Sequence, residues 1–312
     1  MEFLKALESI RFPLLDKLMQ VFTFFGEETF FMVLALILFW CVDKWKGYYL
    51  LSVNFLGTIL SQCLKLICRV PRPWVKDPTF TMVESAKSGA TGYSFPSGHT
   101  QSAACSFGGV ARITKRSWLR WLMAVPILLV GFSRMYLGAH YPSDVAVGLL
   151  IGPAAVLGLY PILRRAKDSV RVMYGFLGVM LLLSLGYLLF VRFAEFPADA
   201  HAIDGNTKTS NYADALKNAW SLLGALLGML AAFTADRKTQ FSEQAPLPGQ
   251  ICKVALGLAI LVGIRTGLKY LFGMVSDALY WNALRYFCMV FFAGAIWPLS
   301  FPFWAKVGGR RK

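Results

Sequence analysis

The sequence predicts an all-α protein, a polytopic integral membrane helical bundle with about nine transmembrane helices. Hydrophobic residues make up 56% of the 312 residues and charged residues only 16%, whereas soluble domains have about 45–50% and about 25%. Apolar runs of about 20 residues recur, and a helix needs about that length to cross a bilayer.

The apolar runs divide the chain in order. The predicted spans are residues 22–41, 48–68, 97–113, 119–137, 144–163, 172–191, 216–235, 254–272 and 283–304. The third and fifth are rich in Gly, Ala and Ser, which is typical of helices that pack closely inside a membrane bundle. We expect an interfacial N-terminal segment at 1–21, with one apolar face on the membrane or an ordinary polar lead-in, then a core at 22–165 and an extension of the same membrane domain at 166–312.

Charge placement predicts the orientation of the spans. The loops at 42–47, 112–120, 164–171, 236–253 and 306–312 hold 17 of the 32 Lys and Arg residues but only four of the 17 acids. The positive-inside rule therefore places these loops and the C-terminus in the cytosol, and the N-terminus outside. Short loops favour a bacterial plasma membrane, with the endoplasmic reticulum left open.

Three polar motifs lie at the predicted outer ends of these spans. They contain two of the three histidines and read Lys65-x6-Arg72-Pro73, Pro96-Ser97-Gly98-His99 and Ser133-Arg134-x5-His140-x3-Asp144. Because topology brings all three to one face, we expect a single site there.

The third motif predicts a nucleophile. Pro142 favours a helix start, so Asp144 can accept a hydrogen bond from one ring nitrogen of His140 and leave the other nitrogen free to attack. A structural hydrogen bond is the alternative.

The other two motifs predict groups for an anion and a proton. The helix start at Ser97 and Gly98 directs backbone N–H groups at an anion, and His99 can protonate a departing oxygen. Lys65, Arg72 and Arg134 can stabilise a phosphoryl group in transfer. The alternatives are a capped helix with a surface histidine, and cations that snorkel to lipid headgroups.

These motifs resemble, position by position, the signature of the type 2 phosphatidic acid phosphatase (PAP2) superfamily, over residues 65–144. The resemblance implies that 22–165 is a PAP2-type catalytic core acting without metal or cofactor. It implies His140 as nucleophile through a phosphohistidine, Asp144 as its orienting group, His99 as acid, and Lys65, Arg72, Ser97, Gly98 and Arg134 as phosphate-binding residues. The long C-terminal half is similar to glucose-6-phosphatase and the sphingosine-phosphate phosphatases.

Four charged residues outside the motifs are candidate accessory groups for a lipid headgroup. Glu27 and Glu28 stand at the outer end of the first span. Arg265 and Lys269 share a face of the eighth span, where charge at membrane depth is costly. Solvated or snorkelling side chains are the alternative. The acidic loop at 192–214 either covers the site or is solvated.

The sequence therefore predicts a metal-independent membrane phosphatase that hydrolyses a lipid phosphate or diphosphate on the extracytoplasmic side. A lipid transporter or flippase that only binds headgroups, and a sugar-phosphate phosphatase of the same superfamily, are the alternatives. We expect no metal site, because no Cys or His cluster has ligand spacing, and no nucleic acid, because the basic residues are dispersed. Anionic lipids at the cytosolic face are expected partners, and the oligomeric state stays open.

Overall fold

The computed structural model describes residues 1–201, 210–239, 241–276 and 278–308, and its regular elements in that part are all helical, as predicted. The helices are α1 Glu2–Ser9, α2 Pro13–Phe24, α3 Glu28–Cys41, α4 Lys44–Cys68, α5 Pro73–Lys76, α6 Gly98–Ile113, α7 Ser117–Leu122, α8 Ala124–Tyr136, α9 Pro142–Asp168, α10 Val170–Phe193, α11 Ala198–His201, α12 Asn211–Thr239, α13 Leu247–Val275, α14 Trp281–Phe291 and α15 Phe301–Trp304. Single 3₁₀ turns lie at Glu84–Gly89 and Trp297–Ser300, and a π-helical turn lies at Phe292–Ile296.

The count of nine spans is not confirmed. Within the described residues, seven helical stretches are long and apolar enough to cross a membrane, or eight if α2 and α3 form one bent span. The predicted span 97–113 corresponds to α6, which has 16 residues and is shorter than the roughly 20 that a bilayer requires.

The predicted first span is broken at Gly26. A Cβ atom at this position would lie 2.7 Å from the carbonyl oxygen of His99 and 2.8 Å from a methyl group of Val130. Only glycine allows the chain to approach that backbone so closely. The break therefore brings the α2–α3 corner against the helix start that contains His99.

Small residues also explain why α6 is buried between its neighbours. A Cβ atom at Gly152 of α9 would lie 2.3 Å from the Cβ atom of Ala104, and one at Gly148 would lie 2.9 Å from the carbonyl oxygen of Ser97. Such close backbone approach is the usual basis of helix packing in membranes. It fixes the N-terminal end of α6 against α9, which begins beside His140.

The chain forms two compact units. The first contains Met1–Met32, Tyr49–Ile162 and Glu195–Ala215, and the polar motifs all lie within it. The sequence-based division at residues 21 and 165 follows different boundaries and stays a prediction.

The N-terminal segment packs through one face against the rest of the first unit. Leu4 and Leu7 of α1 are buried against Phe80, and the Arg11 guanidinium donates to the carbonyl oxygens of Tyr136 and Thr81 at 2.9 Å and 2.7 Å. Large apolar side chains of the same segment stay exposed, as an interfacial helix requires; they include Phe3, Ile10, Leu14 and Leu18.

The second unit contains Val33–Tyr48, Leu163–Ala194 and the chain from Leu216 onward. Its interior holds Lys253, whose ammonium group donates to the carbonyl oxygens of Trp40 at 2.7 Å and Glu243 at 2.9 Å. Lys44 forms an ion pair with Asp236 at 2.9 Å in the same unit. The buried Lys253 and the half-buried Lys44 therefore both have internal partners.

Candidate active site

The two cations of the first motif are buried and bind backbone carbonyl groups. Lys65, near the end of α4, donates to the carbonyl oxygen of Tyr93. Arg72, which precedes α5, donates to the carbonyl oxygens of Thr91 at 2.6 Å, Gly92 at 3.0 Å and Ala139 at 2.9 Å. These backbone acceptors hold both side chains in place.

Residues 91–94 form an irregular stretch that we term the carbonyl strap. Its four successive carbonyl oxygens accept hydrogen bonds from Arg72, Arg72, Lys65 and His140 in that order. Gly92 has a φ of +69°, a conformation that L side chains rarely adopt. The strap thus connects the nucleophile candidate of the third motif with both cations of the first.

The hydrogen bonds of His140 determine its tautomer. Nδ1 lies 2.8 Å from the carbonyl oxygen of Ser94, and Nε2 lies 3.2 Å from Nη1 of Arg72. A carbonyl oxygen only accepts and a guanidinium only donates, so Nδ1 carries the hydrogen and Nε2 carries the lone pair. The atom that would attack therefore faces a cation of the first motif.

Asp144 contacts His140 less closely than the sequence suggested. Its Oδ2 atom lies 3.4 Å from Nδ1, whereas it accepts from the Ser94 hydroxyl at 2.5 Å and from the Tyr141 N–H at 2.9 Å. Ser94 therefore bridges the pair, because its carbonyl oxygen accepts from the histidine and its hydroxyl donates to the carboxylate.

Burial lowers the pKa of His140 well below its ordinary value, and the charges of Arg72, Arg134 and Lys65 lower it further. Desolvation and neighbouring cations both disfavour an imidazolium ion. The neutral form, whose lone pair lies on Nε2, is therefore the resting form of His140 near neutral pH.

The second motif begins the helix α6. Pro96 lies before the helix, Ser97 is the N-cap, and its hydroxyl accepts from the N–H of Thr100 at 3.4 Å. A Cβ atom at Gly98 would meet nothing within 4 Å, so the space in front of the first turn is open. An anion could be bound there by backbone N–H groups.

Arg134 lies in the interior with unused donors. Its side chain is 1% exposed, and Nε and Nη2 have no hydrogen-bond partner among the described residues. Buried guanidinium groups are usually fully paired, so these nitrogens indicate a site for an anion. Arg134, Arg72, Lys65 and His140 are the charged or titratable neighbours of the His99 ring.

The four accessory candidates have different surroundings. Glu27 and Glu28 are both exposed, and Glu27 interacts electrostatically with Arg134 in the first unit. Arg265 and Lys269 are exposed on α13 in the second unit. A role of any of the four in headgroup binding stays a prediction.

Sequence reasoning missed the carbonyl strap. Backbone carbonyl groups have no residue-type pattern, so Thr91 and Tyr93 give no signal as acceptors. The Ser94 hydroxyl could have been noticed, because it lies three residues before Ser97 in the long run between two predicted spans.

Comparison with known proteins decides the family. The chain matches the PAP2 superfamily over residues 46–168 and the transmembrane extension of PAP2 superfamily phosphatases over residues 220–305. It is 31% identical over 163 residues to phosphatidylglycerophosphatase B of Bacillus subtilis (strain 168), which covers 47% of this chain and 75% of that protein. The chain belongs to the PAP2 superfamily.

Other members of the PAP2 superfamily are similar over different lengths. Undecaprenyl-diphosphatase BcrC of Bacillus subtilis (strain 168) is 26% identical over 54% of this chain and 85% of its own length. Sphingosine-1-phosphate phosphatase 1 of Mus musculus is 26% identical over 78% of this chain and 57% of its own.

The family resemblance predicted from the motifs and the long C-terminal half is confirmed, since the homologues also include a glucose-6-phosphatase. The homologues are named phosphatases, which confirms the expected enzyme class. The chain is an integral membrane member of the PAP2 superfamily with several apolar helices.

Proposed function

We propose that this protein hydrolyses a membrane lipid phosphate or diphosphate through a covalent phosphohistidine on His140. The observation that carries the proposal is the tautomer of His140. Its Nδ1 hydrogen is bound by the Ser94 carbonyl oxygen at 2.8 Å, so the lone pair lies on Nε2, where it accepts from Arg72 until a phosphate takes over that donor.

The proposed binding step places the phosphate among Lys65, Arg72, Arg134 and the first turn of α6. The unpaired Nε and Nη2 atoms of Arg134 supply donors that the chain itself does not use within its described part. A phosphate dianion near the His99 ring would also favour the protonated form of that ring. Substrate binding and the loading of the acid are therefore coupled.

The proposed chemistry has two steps. In the first, the Nε2 lone pair of His140 forms a bond to phosphorus, and the bond from phosphorus to the leaving oxygen breaks; this oxygen is the lipid oxygen of a monophosphate or the bridging oxygen of a diphosphate. His99 gives its proton to that oxygen. In the second, water attacks the phosphorus, the N–P bond breaks, and the proton from water returns to His99. Inorganic phosphate leaves, and no metal participates in either step.

Two features support a lipid substrate on the extracytoplasmic side. The relatives named above include enzymes named for phosphatidylglycerophosphate, undecaprenyl diphosphate and sphingosine-1-phosphate, and several of the related proteins are bacterial, which favours a plasma membrane. The excess of basic residues in the opposite loops favours an outward-facing site.

Phosphate release from a panel of lipid phosphates, lipid diphosphates and sugar phosphates tests the function and ranks substrates. We expect turnover in excess EDTA, and no turnover by His140→Ala. The matched control is His201→Ala, which removes the third histidine of the chain, located in α11. Full activity of folded His140→Ala, or binding without phosphate release by the parent protein, would contradict the proposal.

The intermediate and the orientation need separate experiments. Brief incubation with a ³²P-labelled lipid phosphate should give an acid-labile, alkali-stable label in the parent protein and in His201→Ala, and none in His140→Ala. For orientation, intact spheroplasts that express the protein should release phosphate from an impermeant short-chain lipid phosphate added outside. Release only after lysis would reverse the proposed orientation.

A further inference from the structure

Tyr93 contacts two different parts of the first unit at once. Its carbonyl oxygen accepts from Lys65, and its hydroxyl donates to Oδ2 of Asp199 at 3.0 Å. Asp199 lies in α11, more than one hundred residues later in the chain, and outside every signature motif. The carbonyl strap is therefore tied to the segment that follows α10.

The segment 195–201 is anchored in the unit that holds the site. Ala200 is fully buried, and Phe196 and His201 contact the ring of Tyr212, with centroid distances of 5.9 Å and 4.7 Å. Asp199 is thus presented from a packed segment, even though its own side chain is exposed. Residues 202–209 lie outside the described part of the chain.

Tyr93 is the donor in this contact. The side chain is buried at 5% exposure, and burial followed by the hydrogen bond to Asp199 raises the pKa of Tyr93 to about 12. The phenol therefore stays protonated near neutral pH. Asn211 is a second hydrogen-bond partner of the phenol, so the loss of Asp199 alone weakens the anchor without abolishing it.

The strap needs an anchor of this kind. Glycine has more backbone freedom than any other residue, and Gly92 immediately precedes Tyr93 in the strap. Rotation of the backbone there would move the Tyr93 carbonyl oxygen away from Lys65 and the Ser94 carbonyl oxygen away from His140. A buried side chain held from a distant segment restricts that rotation.

We propose that Tyr93 and Asp199 are positioning residues of the phosphate site, which hold the carbonyl strap and through it Lys65 and His140. The inference rests on the proposed phosphatase function for its catalytic meaning. Its direct consequence, however, is the affinity of the site for a tetrahedral anion, which can be measured without turnover.

The test is orthovanadate binding to the purified full chain in detergent, measured by titration and by the shift of the melting temperature. We expect Tyr93→Phe and Asp199→Ala each to bind orthovanadate about three- to tenfold more weakly, the change that the loss of one partly buried hydrogen bond gives. The double variant should bind no more weakly than Tyr93→Phe, because that change already removes the hydroxyl group that donates to Asp199.

Two further variants separate the hydrogen bond from charge and from folding. Asp199→Asn keeps an acceptor for the phenol and should recover most of the affinity, whereas a purely electrostatic role would make it as weak as Asp199→Ala. Glu195→Gln removes an exposed acid of the same segment and should bind like the parent protein. A loss of folded protein would lower the bound fraction and leave the dissociation constant unchanged.

The outcomes separate this inference from the proposed function. Unchanged orthovanadate affinity in Tyr93→Phe and Asp199→Ala would overturn the positioning role, whether or not the parent protein releases phosphate. If the parent protein binds orthovanadate but hydrolyses no phosphate ester, the phosphatase proposal fails and the positioning role is still decided by the affinities. Additive losses in the double variant would also contradict it.

Discussion

The carbonyl oxygen of Ser94 lies 2.8 Å from Nδ1 of His140, closer than the 3.4 Å between that nitrogen and Oδ2 of Asp144. A backbone atom therefore holds the histidine in its tautomer. The carboxylate acts indirectly, because it accepts from the hydroxyl of the same Ser94. This arrangement separates the geometric role of Ser94 from the electrostatic role of Asp144.

The first prediction concerns this pair. Ser94→Ala keeps the carbonyl oxygen but removes the hydroxyl, and Asp144→Asn removes the negative charge. Each change should lower kcat by about tenfold or more, since a charge-assisted hydrogen bond contributes about 1.5 kcal/mol or more. The measurement is steady-state phosphate release, with Ser143→Ala as control because its hydroxyl lies 3.3 Å from the other carboxylate oxygen. Equal kcat values for all three variants would contradict the proposed coupling of Asp144 to His140 through Ser94.

The second prediction concerns pH. Burial first, and then Arg72, lowers the pKa of His140, so the reactive neutral form persists to more acidic pH than for an ordinary histidine. The acidic limb of kcat/KM should therefore lie below the ordinary imidazole value of about 6.5. A profile of kcat/KM against pH at constant ionic strength checks this. An acidic limb above that value would contradict the neutral resting form.

The third prediction sets stability against activity at Arg134. The guanidinium is buried with Nε and Nη2 unpaired in the described part of the chain, and each unsatisfied buried donor costs about 1–3 kcal/mol. Arg134→Met should therefore raise the melting temperature while it abolishes orthovanadate binding and phosphate release. A thermal melt without anion and an anion titration provide the two measurements. Lower stability with retained binding would show that the arginine serves the fold instead.

The fourth prediction concerns the contact of α6 with α9. Gly152→Ala would place a Cβ atom 2.3 Å from that of Ala104, so it should destabilise the protein by about 1–3 kcal/mol and lower kcat by displacing the start of α6. Gly158→Ala, in the same helix, meets nothing within 4 Å and should be neutral or slightly stabilising. Melting temperature and kcat of the two variants are compared directly. Equal behaviour of the two would refute close packing at Gly152.

The sequence predicted the superfamily and the enzyme class of this protein better than its course through the membrane. Lys65, Arg72, His99 and His140 are candidates from the sequence alone, because their residue types suit phosphoryl transfer. The span count of nine was not confirmed, because α6 is stabilised by close contact with α9 and does not need the apolar length of a bilayer-crossing helix.

The break of the first span had a signal in the sequence. Gly26 favours the end of a helix, and the two acids that follow it favour the first turn of a new one. Its cause, the approach to the His99 backbone, depends on the tertiary packing of distant segments and has no local pattern. The hydrogen bond between Tyr93 and Asp199 also depends on tertiary packing and has no local sequence pattern.

The carbonyl strap makes chain length a constraint on residues 91–94 that is separate from the demands on residue type at Gly92, Tyr93 and Ser94. Its acceptors are supplied by peptide groups, which every residue has, so many side chains could replace Thr91 without loss of its acceptor. A single inserted or deleted residue would instead shift every later acceptor away from its donor. In a saturation library, this stretch should tolerate many substitutions at position 91 but no insertion or deletion.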